Sequence, residues 1–198
     1  MNDAMADGRA KREAAGFSGA LDETTLARAK RGDVRAFESI YRLYAGASYT
    51  LALRMLGEPA AAEDVVQDVF VKLFDGVRGY RGDAPFGPWL KRLVANRAID
   101  VLRGNRSWEG DDPERLFDRI PARSRDADVE LDLAAALGRL PGAARAVVIL
   151  HEIEGFTHTD IAMRFGMTES WSKTVLARSL QRLQDETRPS TTLARSRS

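Results

Sequence analysis

Through two long stretches of the chain, apolar residues recur three and four positions apart, and neither stretch shows the alternation of a strand. The first runs from about residue 24 to 103. Phe37, Ile40, Tyr41 and Tyr44 lead toward Leu51, Leu53, Met55 and Leu56 as its first packing positions. Gly57-Glu58-Pro59 then breaks the pattern. A second helix is predicted over about 61–74, a glycine-rich loop from Gly76 to Gly87, and a third helix over about 88–103. The second stretch, about 128–186, predicts a short helix near 128–138 and one opened by Pro141 and stopped by Gly155. Thr157 and Thr168 then cap two further helices, ending near 165 and 186, with Gly166 turning the chain between them.

Periodicity lapses over 104–127, where Gly104, Gly110, Pro113 and Pro121 stand among charges, and this segment reads as a linker. Residues 1–23 and 187–198 read as polar, unstructured tails. The expected fold is all-α: two small helical domains (24–103 and 128–186) joined by a flexible linker, the second with a helix-turn-helix.

Composition excludes more than it assigns. The 30 Lys and Arg against 29 Asp and Glu leave a net charge of +1, which rules out a uniformly basic nucleic-acid binder. The absence of cysteine rules out disulfides, a thiol nucleophile and thiolate zinc sites, and two histidines leave little for imidazole metal chemistry. No apolar run reaches the ~20 residues that span a bilayer, and the N-terminus lacks the apolar core of a signal peptide. A cytoplasmic protein without membrane insertion is expected. The charge is unevenly spread: residues 26–103 hold 13 basic against 9 acidic side chains.

Three constellations follow. On the helix over 61–74, Val65, Val66, Val69, Phe70, Leu73 and Phe74 share one broad face, while Asp64, Gln67, Asp68 and Val71 share the other. That second face is either solvated or a docking surface; an exposed Val71 among carboxylates suits docking against a partner that bears arginine. On the next helix, Arg92, Asn96, Asp100 and Arg103 form an outward stripe with Trp89 and Ile99 beside it, close to Tyr80, Phe86 and Arg97. Arginine holds phosphates, asparagine bonds base edges and aromatic rings stack on unpaired bases; an amphipathic helix with an Asp100–Arg103 pair is the plainer alternative. In the helix-turn-helix over 157–186, Trp171, Val175, Leu176, Ser179, Leu180 and Leu183 face inward. Ser170, Thr174 and Gln181 face outward, flanked by Lys173 and Arg178, as a helix entering a major groove requires. Glu63, Asp64 and Asp68 lack the pocket a metal-dependent nuclease would need, and no phosphate-binding loop or nucleophile elbow is present. No catalytic residue, cofactor or metal is expected.

Taken together, AEDVVQDVFVKLF, FGPWLKRLVANRAIDVLR and the segment from Leu137 to Leu183 resemble a bacterial RNA polymerase sigma factor of the extracytoplasmic-function (ECF) group. The resemblance implies that Asp64, Gln67, Asp68 and Val71 dock on core RNA polymerase. It implies that Tyr80, Phe86, Trp89, Arg92, Asn96, Arg97 and Arg103 melt and read the minus-ten promoter element. Ser170, Lys173, Thr174 and Arg178 would meet the minus-thirty-five element, and an anti-sigma factor would cover these surfaces. The family often shows Thr-Val-Lys-Ser-Arg where this chain has Trp171-Ser172-Lys173-Thr174-Val175. The alternative is a stand-alone regulator that uses only the helix-turn-helix on an operator.

Overall fold

The computed structural model describes residues 16–104, 112–117 and 133–187. They fall into two compact units divided between 107 and 108, and among the described residues every regular element is helical.

The first unit holds α1 (Glu23–Lys30), α2 (Val34–Leu56), α3 (Pro59–Gly76) and α4 (Phe86–Gly104). The starts of α1, α2 and α3 are each set by a side chain that accepts orphan backbone N–H groups. Asp22 accepts from Thr25, Asp33 from Arg35 and Ala36, and Glu58 from Ala60 and Ala61, with Pro59 at the first position of α3. Gly57 closes α2 at φ +75°, a left-handed conformation that suits glycine. The long α2 packs against the other three, around Ile40, Tyr44, Leu51, Met55, Val65, Leu73, Leu90 and Val94, all essentially without solvent contact. Periodicity alone did not separate α1, which is short and buries only Ala29.

Residues 1–23, expected as a free tail, are structured from residue 16. Gly16–Ser18 form a 3₁₀ turn, Phe17 stacks on Tyr44 with centroids 6.5 Å apart, and the Tyr44 hydroxyl donates to Gly19 O at 2.6 Å. The strap is pressed so closely on α4 that a Cβ on Gly87 would lie 1.9 Å from Phe17 O. Residues 1–15 lie outside the described residues.

The second unit holds α5 (Pro113–Phe117), α6 (Leu133–Arg139), α7 (Gly142–Val148), α8 (His158–Phe165) and α9 (Glu169–Thr187). Here too an expectation is corrected: α5 lies within the segment read as a linker, and buries Leu116 as it packs on α9. Most of the rest of that segment lies outside the described residues. From Ile149 to Ile153 α7 widens into a π-type turn, with Glu154 N–H reaching Ile149 O at 3.0 Å. Gly155 then ends it at φ +73°. Ala143, Ala144, Ala146 and Val147 are fully or nearly fully buried, and their small side chains let α9 approach α7 closely.

Candidate functional site

On α3 the periodicity reads out as expected over most of its length. Val65, Val66, Val69, Phe70 and Leu73 are buried, whereas Asp64 and Gln67 are exposed and Val71 is 65% exposed. Phe74, read as inward, is 47% exposed; it stands edge-on to Phe37 at 4.9 Å at the rim of the unit. With Val34 and Tyr41 of α2 also exposed, apolar surface continues from α3 onto α2, an extension that periodicity on α3 alone could not reveal. Asp68 is not a free carboxylate. Arg97 of α4 places Nε at 2.7 Å and Nη2 at 2.6 Å from its Oδ2, so residues assigned to two different surfaces are bonded to each other.

On α4, Arg92, Asn96, Asp100 and Arg103 are exposed as one stripe, and Trp89 beside them is partly exposed. Ile99, read as flanking the stripe, is buried because it lies on the side of α4 that packs into the unit. Tyr80 and Phe86 are 7% and 5% exposed, where open ring faces were expected. The chain turns between them, so the Tyr80 ring packs edge-on to Phe86 at 5.2 Å and tilted on Trp89 at 5.0 Å, while its hydroxyl donates to Ala84 O. These two rings support Trp89 from beneath. Lys30 caps the cluster: its Nζ donates to Tyr80 O at 2.6 Å and lies 5.2 Å from the ring centroid. Beside it a cavity of about 740 Å³ opens between the strap and α4, with Phe17, Lys30, Tyr44, Phe86 and Lys91 among its walls.

In the second unit Thr157 and Asp160 form a reciprocal capping box at the start of α8. The Thr157 hydrogen bond, assisted by Arg164, holds the Asp160 carboxyl below its ordinary range despite some burial. Gly166 turns the chain at φ +70°, and Thr168 Oγ1 accepts from Trp171 N–H at 3.1 Å to open α9. Trp171, Val175, Leu176, Ser179 and Leu183 are buried as periodicity indicates, and so is Ser172. Val175, standing where the family often has arginine, thus belongs to the core of the unit.

Outward on α9, Ser170 and Lys173 are exposed, and Thr174 and Arg178 are partly exposed. Lys173 and Thr174 are engaged within the unit. Lys173 Nζ lies 2.6 Å from Glu169, which also accepts from Thr159 of α8, and Thr174 Oγ1 donates to Ser170 O at 2.9 Å. His151 and His158 stack at 4.1 Å, with His151 Nδ1 donating to Phe156 O and His158 Nδ1 bonded to Ser172 Oγ. Sequence spacing gives no hint of this pair, because the turn at Gly155 brings the rings together. Among the described residues no three histidine or carboxylate side chains converge as metal ligands, and no helix is long and apolar enough to cross a membrane.

An acidic, partly apolar helix face and an Arg–Asn stripe on the next helix thus lie on the first of two helical units, and a helix-turn-helix lies on the second. The chain matches Sigma-70 region 2 over residues 40–108 and Sigma-70 region 4 over residues 130–183. The ECF RNA polymerase sigma factor SigM of Mycobacterium tuberculosis is 32% identical over 175 residues, covering 86% of this chain and 88% of SigM. The ECF RNA polymerase sigma factor SigE of Mycolicibacterium smegmatis is 30% identical over 157 residues, covering 76% of this chain but only 61% of SigE. The chain belongs to the ECF RNA polymerase sigma factors. The sigma factor RpoE of Bartonella quintana, solved in complex with the anti-sigma factor NepR, shares its fold. That likeness has a TM-score of 0.51 at 21% identity, over 77% of this chain and 96% of RpoE.

Proposed function

We propose that this chain binds core RNA polymerase and directs it to promoters, with a division of labour that follows the order of its helices. Asp64, Gln67, Asp68 and Val71 of α3 dock on the polymerase. Trp89, Arg92, Asn96 and Arg103 of α4 hold the separated minus-ten strand; Tyr80 and Phe86 serve that site as the packed base under Trp89, and Arg97 joins it as described below. Ser170, Lys173, Thr174 and Arg178 of α9 meet the minus-thirty-five duplex. The protein has no active site of its own and works in the cytoplasm, where an anti-sigma factor holds it by covering these surfaces. The observation that carries this reading is the coexistence of the α3 face with the α4 stripe in one unit. A stand-alone operator binder has no use for that unit.

Magnitudes assign the work of melting to the complex rather than to the chain. Opening about ten base pairs costs on the order of 10 kcal/mol, at ~1.4 kcal/mol per stacked step. Each base captured by stacking returns only about 1–3 kcal/mol, and one partly exposed tryptophan serves few bases. The free chain therefore binds promoter DNA poorly, and polymerase contacts supply the difference. Run-off transcription with core polymerase on genomic fragments tests the reading directly. New start sites are expected with the wild-type chain and none with Asp64 and Asp68 both changed to Lys. Unchanged start sites with the wild type would overturn the reading, and tight operator binding without polymerase would favour the stand-alone regulator.

A further inference from the structure

On the proposed reading α3 faces the polymerase and α4 the promoter strand, and an ion pair ties the two helices together. Arg97 brings two N–H groups onto one oxygen of Asp68, at 2.7 and 2.6 Å, with the arginine side chain 32% and the aspartate 45% exposed. Arg97 is set on the flank of α4 toward α3, next in sequence to Asn96 of the outward stripe.

Resting on that reading, we propose that Asp68 and Arg97 form an exchangeable latch. A cationic side chain of the docking polymerase takes Asp68, and the released Arg97 guanidinium takes a phosphate of the separated strand. The chemistry favours exchange over a fixed strut. A half-exposed pair contributes little to stability, so breaking it costs little. Neither partner is left as an uncompensated buried charge, which is what makes fully buried pairs hard to open. Both bonds also converge on Oδ2, whereas a phosphate offers the guanidinium fork two oxygens side by side.

In the free chain the Asp68 carboxylate acts twice against nucleic acid, by neutralising Arg97 and by repelling phosphate. Docking removes both effects at once, so strand capture becomes conditional on polymerase. Thermodynamic reciprocity adds that a captured strand tightens the grip on polymerase by the same factor.

The test needs no polymerase. Fluorescence anisotropy of the full chain with a short labelled single-stranded DNA of mixed sequence is measured for wild type, Asp68→Asn, Arg97→Gln, the double variant and Asp64→Asn. Asp68→Asn is expected to tighten binding by roughly threefold or more and to steepen the dependence of log K on log salt by ~0.7, one further phosphate on a single strand. The gain is expected to vanish in the double variant. Asp64→Asn removes the same charge from the same helix without freeing a guanidinium, and is expected to give a smaller gain and no steeper salt dependence. The latch is overturned if the gain survives Arg97→Gln, if Asp64→Asn reproduces it, or if no variant differs from wild type or binds at all. Circular dichroism checks each fold, and Asp68→Ser repeats the test should Asp68→Asn not fold. Failure here leaves start-site selection by the wild type untouched, whereas failure of start-site selection refutes the assignment of the surfaces themselves.

Discussion

In the first unit Phe17, Tyr44, Tyr80, Phe86 and Trp89 lie ring against ring, and the Gly87 backbone backs onto the Phe17 carbonyl. In the second, alanines line α7, and Gly155, Gly166, Thr157 and Thr168 set where helices begin and end. Both units use local caps at their helix ends, but the first adds close contacts between residues far apart in sequence, Phe17 on Gly87 and on Tyr44. The first unit should therefore fail abruptly when one close contact is lost, and the second should weaken in small, local steps.

The largest effect expected from breaking that contrast is at Gly87. A methyl group there meets backbone rather than a flexible side chain, so Gly87→Ala is expected to destabilise the first unit by about 3 kcal/mol and to release the strap. Thermal unfolding should show it, with NMR shifts of the second unit unchanged. Gly166→Ala forces a left-handed conformation on a residue with a Cβ and is expected to cost about 1–2 kcal/mol, confined to the second unit. Thr157→Ala removes the acceptor for Asp160 N–H and is expected to cost about 1 kcal/mol by the same measurement. Equal losses at Gly87 and Gly166 would dissolve the contrast between the units.

The smallest effect is a pH dependence of the second unit. Burial, then the neighbouring His151 and Lys173, hold His158 below its ordinary value of 6.5, against weaker opposing pulls from Glu169 and Glu152. As pH falls the unfolded chain takes up this proton before the folded one does. The stability tied to neutral His158 is thus complete above pH 6.5 and is lost as pH drops through the lower folded value. The unfolding midpoint of the second unit should fall on acidification below 6.5, and less steeply in His158→Asn. Identical slopes would remove His158 as the cause.

The same contrast explains what could be read from the chain. Helix ends at Gly57, Thr157, Gly166 and Thr168 were legible because a cap or a left-handed glycine acts on its own neighbours. So was the inward face of α3 up to Leu73, since one helical period sets it. Phe74 broke the pattern because it sits at the rim of the unit beside Phe37, and rims carry no periodic mark. Tyr80 and Phe86 looked like open rings in a glycine-rich loop. Only the fold shows that the loop turns both inward beneath Trp89. Asp68 and Arg97 are 29 residues apart, and each looked free on its own helical wheel. Phe17 stands alone among small residues, Ala15 and Gly16 before it and Ser18, Gly19 and Ala20 after it, its partner Tyr44 being 27 positions away.

The strap sets a practical boundary for anyone who trims this chain. Starting it at residue 24 would discard Phe17 and Gly19 and remove one wall of the 740 Å³ cavity. Tyr44 would lose its acceptor and Gly87 its cover, and wet aromatic rings would be left facing solvent. Such a shortened piece is expected to be sticky in solution and less stable than one beginning at or before residue 16, although α2, α3 and α4 are present whole in both.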